Sequence, residues 1–321
     1  MFKILILRFS SIGDIVLTTP VIRALKEQIP NAEIHYFTKP AFKIILENNP
    51  YIDKLIFLDA ELGNQIKKLK NENYDYIIDL HHNLRTLRIK WGLGVKSFSF
   101  DKLNLKKWLY VNLKINLLPD LHIVDRYMET VKLLDVSDDG KGLDYFIPAK
   151  DVVLKNTLPD FLQCNYVAFA IGAQHFTKRL PVNKLMEFCE FIKLPIILLG
   201  GKEDFEVGDS IDNHFNKNGL NNKIFNACGK FNLNQSASLI QQATIVYSHD
   251  TGLIHIAAAL GKSIVSIWGN TTPDFGMYPY RTKFKILENK DLKCRPCSKI
   301  GYAKCPQGHF KCMNNLKPEV I

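Results

Sequence analysis

The sequence predicts an α/β protein made of two doubly wound, parallel-sheet halves that face a central cleft. Three observations carry that expectation. Apolar strand-like runs alternate with helix-length amphipathic stretches from the first residues onward; the rhythm restarts after a turn-rich break at 137–142; and the two stretches are of comparable size. The length of 321 residues agrees, since a domain usually takes about 150 residues.

In the first half, strands are expected at 3–8, 33–37, 54–58 and 76–80, with helices at 15–28, 42–48, 63–71 and 122–134. Ile77, Ile78 and Leu80 suit a strand buried on both faces. In the second half, strands are expected at 166–171, 195–199, 224–226, 243–247 and 263–268. Helices are expected at 183–192, 206–216, 234–241 and 253–260. The boundary is set at 155/156, giving an N-terminal half of 1–155 and a C-terminal half of 156–321 that ends in a cysteine-rich tail at 294–312.

Hydrophobic content of 46% and charge of 23% are those of a globular chain able to bury large cores. The opening run Met1-Phe2-Lys3-Ile4-Leu5-Ile6-Leu7-Arg8 is too short for a signal peptide and reads as a first strand. No window approaches the roughly 18 apolar residues of a membrane span, so a cytoplasmic location is expected. The formal charge of +10 and pI near 9.1 point to an anionic partner. The excess concentrates at Arg85, Arg88, Lys90, Lys96, Lys102, Lys106, Lys107 and Lys114, against Asp101 alone. Lys106-Lys107-Trp108-Leu109-Tyr110-Val111 suits docking on an acidic membrane surface, and a merely solvated basic face accounts for it equally well. No nucleic-acid partner is expected, because no helix-turn-helix, RNP or finger pattern accompanies the charge.

In open α/β sheets, ligands bind beyond the carboxyl ends of strands. The most informative such junction is Ser248-His249-Asp250-Thr251-Gly252-Leu253-Ile254-His255, where a strand opens into a helix. Free N–H groups and the dipole at such a start suit a phosphate, and Gly252 admits close approach. A helix cap with a half-buried histidine is the other reading. At the first strand end, Ser10-Ser11-Ile12-Gly13-Asp14 offers the Asp14 carboxylate as a general base, or as a first-turn acid favoured by the helix dipole. Lys178 and Arg179 follow the strand at 166–171 as phosphate cations or as solvated surface charges. Glu203 follows Gly200-Gly201 as a ribose partner or a helix cap, and Thr271 follows the strand at 263–268 with a hydroxyl facing the same side. No Walker A, Gly-x-Gly-x-x-Gly or Gly-x-Ser-x-Gly pattern occurs, which argues against P-loop hydrolysis, an ordinary dinucleotide fold and that class of serine hydrolase.

Cys294 and Cys297 form a Cys-x-x-Cys pair followed by Cys305 and Cys312, with His309 between them. These four are compatible with a structural zinc site, with packed free thiols or with disulfides; a reducing compartment disfavours the last. A catalytic role for these cysteines is the least expected reading.

Taken together and in order, the segment 4–14 with Thr18-Thr19-Pro20, Tyr76-Ile77-Ile78-Asp79-Leu80, the Lys178 loop, Asp250-Thr251-Gly252-Leu253-Ile254-His255-Ile256-Ala257-Ala258, Trp268-Gly269 and the cysteine tail with Pro318-Glu319-Val320 resemble glycosyltransferase family 9, the bacterial lipopolysaccharide heptosyltransferases. The resemblance spans nearly the whole chain. It implies a GT-B architecture of two Rossmann-like domains, the N-terminal one binding the acceptor and the C-terminal one the nucleotide sugar. It further implies inverting, metal-independent transfer of a sugar, typically heptose from ADP-heptose, onto a lipopolysaccharide core or related anionic glycolipid. The setting implied is the cytoplasmic face of the inner membrane, in peripheral contact with it. Position by position, Asp14 matches the family's base, Lys178 its phosphate cation, and Asp250, Thr251, Gly252 and His255 its donor motif, with Glu203 and Thr271 beside them. Ser10, Ser11, Gly13 and Arg85 fall on the acceptor side. Leu180-Pro181 stands where the family often has Trp-Pro. Two other functions remain open at this stage: a nucleotide-sugar epimerase, which would convert the donor alone, and a non-enzymatic metal-bearing binding module.

Overall fold

The computed structural model describes residues 2–320. The chain forms two compact units, Met1–Lys102 with Leu121–Phe146, and Leu103–Asp120 with Ile147–Ile321. This division differs from a single break at 155/156 on two points. The first unit ends at Phe146, and the segment from Leu103 to Asp120 belongs to the second unit although it lies within the N-terminal half of the sequence.

The first unit is built from β1 (Phe2–Leu7), α1 (Ile12–Val16), α2 (Thr19–Gln28), β2 (Ala32–Thr38), α3 (Lys43–Leu46), β3 (Lys54–Phe57), α4 (Leu62–Lys70), β4 (Tyr76–Asp79), α5 (Leu84–Leu93) and β5 (Ser97–Ser99). The helix α6 (Asn104–Leu113) then leaves for the second unit, and α7 (Ile123–Met128) closes the first. Its strands are all parallel, in the order β3-β2-β1-β4-β5. Strand order therefore reverses between β1 and β4. A helix expected over 15–28 is two helices, because Pro20 has no N–H for the carbonyl of Val16. The Thr19 hydroxyl takes that carbonyl at 2.8 Å, and Thr18 takes that of Ile15 at 2.7 Å, so the break leaves no orphan. Helix α5 starts on an Asn83–Thr86 capping box and stops at Gly94, whose φ of 67° is the left-handed stop that glycine tolerates. Leu5, Leu7, Phe9, Phe37, Ile77 and Ile89 form a core on one face of the sheet. Buried Arg23 on α2 donates to Asp139 (2.6 Å) and Asp144 and fastens the turn-rich loop.

The second unit contains α6, β6 (Val167–Ala170), α8 (Val182–Phe191), β7 (Ile196–Leu199), α9 (Phe205–Lys217), β8 (Ile224–Asn226), α10 (Leu233–Gln242), β9 (Ile245–His249), α11 (Gly252–Ala259), β10 (Ser263–Trp268), β11 (Phe284–Glu288) and α12 (Lys311–Asn314). Its parallel sheet runs β11-β10-β9-β6-β7-β8, so the order reverses between β6 and β9. Phe169, Phe188, Tyr247 and Ile267 centre the core, and the tail adds Phe310, Cys312, Met313 and Leu316 to it. Helix α6 buries no residue fully. It is held to this unit by Tyr110 donating to Asp274 at 2.6 Å and by Lys114 donating to the carbonyl of Pro296 at 2.7 Å. Among the described residues no helix is long and apolar enough to cross a membrane.

Candidate functional site

Each unit places its candidate residues at the reversal of strand order, where the loops from two adjacent strands splay apart and leave a crevice. In the first unit these are the loops after β1 and β4. Arg8, at the end of β1, is buried and makes four polar contacts. Its Nε donates to the Ser10 carbonyl (2.7 Å), one terminal nitrogen donates to the Leu80 carbonyl (2.5 Å) and the Tyr127 hydroxyl (3.0 Å), and the other pairs with Asp14 Oδ2 at 2.7 Å. Asp14 lies in the first turn of α1, where its Oδ2 also accepts from the Ser11 N–H (3.2 Å) and hydroxyl (2.9 Å). All three donors thus fall on one oxygen. Oδ1 carries none of them, and the side chain keeps 21% of its surface exposed.

Burial raises the cost of charge on Asp14, but Arg8 and the two Ser11 donors outweigh it and hold the carboxyl below the ordinary carboxylate range. The group is an ionised, oriented and rather weak base. Such a base takes a proton only as the hydroxyl oxygen forms its new bond and acidifies. Gly13 is buried in the turn, while Ser10 is half-buried and Ser11 exposed. Arg85, exposed at the start of α5, sits over the Phe9 ring at 5.8 Å, and His81 meets the edge of the same ring at 5.1 Å. Burial pushes His81 down to about 4, helped by Arg8 and Lys102, so it is neutral near pH 7. Ser10, Ser11, Gly13, Asp14 and Arg85 are thereby gathered at the β1/β4 junction. Arg8 was missed by sequence reasoning; its signal was a cation ending an otherwise apolar buried strand.

In the second unit the loops after β6 and β9 meet in the same way. Lys178 Nζ lies 2.6 Å from Asp250 Oδ2 and 3.2 Å from the Asp250 carbonyl, and the Thr271 hydroxyl donates to the same Oδ2 at 2.9 Å. Thr251 is the N-cap of α11 and its extended backbone leaves the first N–H groups of the helix, beginning at Gly252, facing outward from the sheet end. His255 is only 2% exposed and sits among the buried residues of α11. It supports the helix from within, whereas Lys178, Asp250, Thr251 and Gly252 remain partly accessible. Glu203, after β7, is exposed. Its neighbour Asp204 is the buried acid: it accepts from the Gly201 N–H (2.9 Å) and from Arg179 (3.1 Å), and Arg179 Nε reaches the Ala173 carbonyl at 2.6 Å. Asp204 and Arg179 therefore clamp the loops after β6 and β7 together. Gly172 is required there, since an added Cβ would lie 2.1 Å from Asp204 Oδ2.

The Leu180 N–H donates to His249 Nε2 at 3.0 Å, which places the remaining proton on Nδ1. Burial lowers His249 to about 4, so this bond is present at neutral pH and fixes the end of the Lys178 loop against β9.

The cysteine tail braces these loops from behind. Arg295 donates to the carbonyls of Gly269 (2.5 Å) and Thr271 (2.8 Å) and pairs with Glu288 at 2.8 Å, and the Cys297 N–H donates to the Asn270 carbonyl at 2.8 Å. Tyr302 exchanges backbone and hydroxyl bonds with Thr177 beside Lys178. Among the described residues no three His, Cys, Asp or Glu side chains are arranged to hold a metal ion. Cys297 donates its S–H to the Cys294 carbonyl at 3.0 Å, and Cys294 Sγ lies 3.9 Å from His309 Nε2. Burial, with Cys294 adjacent, pushes the Cys297 thiol up to about 11, and burial pushes Cys312 up to about 12. Cys312 lies inside the hydrophobic core, with Cys305 packed against it.

Comparison with known proteins agrees with this geometry. The family model described as glycosyltransferase family 9 (heptosyltransferase) matches residues 63–306. The chain is 27% identical to lipopolysaccharide heptosyltransferase 1 of Campylobacter coli, over 90% of this chain and 88% of that one. Among solved structures it is similar to a family 9 glycosyl transferase from Veillonella parvula, with a TM-score of 0.74 and 23% identity over 91% of this chain and 88% of that one. It is also similar to the ADP-heptose lps heptosyltransferase II of E. coli, with a TM-score of 0.71 and 20% identity over 98% of both chains. Two parallel-sheet α/β units with this likeness have the GT-B fold. With the family model covering most of its length, this chain belongs to glycosyltransferase family 9, the heptosyltransferases, and is an enzyme.

Proposed function

We propose that this enzyme transfers heptose from ADP-heptose, with inversion and without a metal, onto the core of a lipopolysaccharide or related anionic glycolipid at the cytoplasmic face of the inner membrane. The proposal is carried by one observation in each unit: in the first, a carboxylate with one unoccupied oxygen, Asp14; in the second, a lysine seated beside a helix start, Lys178. The acceptor hydroxyl attacks the anomeric carbon as the bond from that carbon to the diphosphate oxygen breaks. Its proton passes to Asp14 Oδ1, and the departing ADP carries away the negative charge. Lys178 and the N–H groups opening α11 meet that charge as it grows, which lowers the barrier because the interaction is stronger in the transition state than before it. Asp250 and Thr271 hold Lys178 in place until the diphosphate arrives. Glu203 is positioned to accept from a ribose hydroxyl. On the acceptor side, Arg85 meets an anionic group while Ser10 and Ser11 shape the approach to Asp14.

Family membership favours a transferase over the epimerase and over the binding module. The test is calorimetric titration with ADP-heptose, ADP, GDP and UDP without added metal. Binding restricted to the adenine nucleotides and weakened in Lys178→Ala supports the reading, and indifference to all four removes it. Asp14→Asn should bind the donor normally and fail to transfer. Near-normal transfer by that variant would exclude Asp14 as the base.

A further inference from the structure

Helix α5 is apolar on two sides. Its inner side places Thr86 and Ile89 in the core, as any surface helix does. Its outer side carries a second apolar stripe, Leu84, Leu87 and Trp91, with helical spacing that puts all three over one face. Leu84 is 81% and Trp91 79% exposed, and Arg88 lies between them, also exposed. A protein that merely needed α5 in its fold would have polar residues here, so the stripe calls for an occupant.

The charges around the stripe say which. No acid occurs from Leu80 to Phe100, nor within α4 from Leu62 to Lys70. Helix α4 packs tightly beside α5, because Gly92 lets Ile66 approach to where a Cβ would stand only 2.6 Å away. Helix α4 itself carries Lys67 and Lys70, both exposed. A second copy of this chain docked through the same face would set these cations against their own counterparts. A nucleic acid would use the cations and stack on Trp91 but would gain nothing from Leu84 and Leu87. An anionic lipid surface uses all of them: tryptophan and leucine enter the boundary between headgroup and acyl chain, and the lysines and arginine meet the phosphates.

We propose that the outer face of α5, with the lysines of α4, docks the enzyme on an anionic lipid bilayer. The purpose rests on the reading of a lipid-borne acceptor, but the docking itself is measured without donor or acceptor. The probe is co-sedimentation of the full chain with phosphatidylglycerol-containing vesicles and with pure phosphatidylcholine vesicles. Binding is expected to the first, falling with salt. Leu87→Ser with Trp91→Ser should weaken it by roughly tenfold or more, and Lys67→Glu with Lys70→Glu by a similar factor. Trp108→Ser, on exposed α6, should leave it unchanged. Both double variants alter exposed side chains, so unaltered thermal unfolding and transfer to a water-soluble acceptor fragment show that fold and chemistry survive. That separation distinguishes a failure of docking from a failure of the transferase reading. Equal binding to both vesicles, indifference to the Trp91 and lysine variants, loss caused by Trp108→Ser instead, or a dimer or RNA complex abolished by Trp91→Ser would each overturn the proposal.

Discussion

Arg8 sets how strong a base Asp14 is, and replacing it separates that effect from folding. In Arg8→Gln the guanidinium's four contacts, to Ser10, Leu80, Tyr127 and Asp14, are lost or reduced to one or two. Breaking a buried ion pair costs about 3–5 kcal/mol, and because Asp14 keeps 21% of its side chain exposed the expected loss is at the lower end, about 3 kcal/mol. That is a large share of the ~5–15 kcal/mol typical of a domain, yet leaves it folded. The direction with pH follows from the sign of the shift. In the wild type the Asp14 carboxyl is depressed, so its contribution to stability is present above the unfolded-state value and is lost as pH falls through the folded one. Without Arg8, burial dominates and the carboxyl rises, so the stability gap between the two chains should narrow as pH drops through the carboxylate range. The catalytic signature moves with it: the acid limb of kcat/KM, below the ordinary carboxylate range in the wild type, should shift to higher pH in Arg8→Gln and less in Arg8→Lys. The assays are urea unfolding across pH and initial rates of ADP release with acceptor present. A folded Arg8→Gln protein whose acid limb coincides with that of the wild type would refute both the electrostatic account and the assignment of Asp14 as the titrating base.

Three further substitutions test other parts of the frame. Lys178→Ala should lower transfer by about 10²–10³-fold while leaving the thermal midpoint nearly unchanged, because the lysine is partly exposed and its partner Asp250 keeps the Thr271 hydroxyl; a loss below threefold in steady-state rate excludes it as the leaving-group cation. Gly172→Ala drives a methyl into Asp204 and should cost about 1–3 kcal/mol with weaker donor binding by calorimetry. Unchanged affinity would mean that the Arg179–Asp204 clamp does not shape the donor loops. Asp79→Asn removes the partner of Lys90, 2.9 Å away, from a fully buried position and should destabilise by about 3–5 kcal/mol in urea unfolding; a change under ~1 kcal/mol shows that the pair contributes little to the fold.

The alternation of strands and helices was legible because a parallel sheet covered on both faces leaves uninterrupted apolar runs such as residues 4–7 and Val167–Ala170. The segments that escaped were those without one apolar side. Helices α5 and α6 carry leucine and tryptophan around much of their circumference, so no period stands out, and the short strands β5 and β11 are only partly buried. Allegiance of the 103–120 segment to the second unit depends on Tyr110 meeting Asp274 across 164 positions, which no local pattern encodes. At the site, Asp14, Lys178 and the Asp250–Gly252 turn were legible as polar residues at strand ends. The residues that position them were not: Arg295 is by sequence only a cation between Cys294 and Cys297, yet it holds the Gly269 and Thr271 carbonyls. The cysteine spacing drew attention to metal, while the packing uses the tail as a brace.

The two units solve a similar placement problem and arrive at opposite chemistry. Each puts a cation and a carboxylate at the reversal of strand order, and each loads one carboxylate oxygen with the cation and a hydroxyl: Arg8 and Ser11 on Asp14, Lys178 and Thr271 on Asp250. The difference is which partner is immobilised. Arg8 is buried and committed to three further acceptors, so it cannot leave, and the group offered to a substrate is the open oxygen of Asp14. Lys178 is tied only to the carboxylate and carbonyl of a single residue, on a flexible stem, so an arriving diphosphate can replace Asp250 as its partner. A carboxylate that loses its lysine in this way would repel the diphosphate, and Thr271, still donating to it at 2.9 Å, limits that penalty. Thr271→Val should therefore weaken ADP binding in the wild-type background and have little effect once Asp250 is Asn. Additive losses in that double-mutant cycle, read by calorimetry, would show that Thr271 acts on the nucleotide directly and not through Asp250.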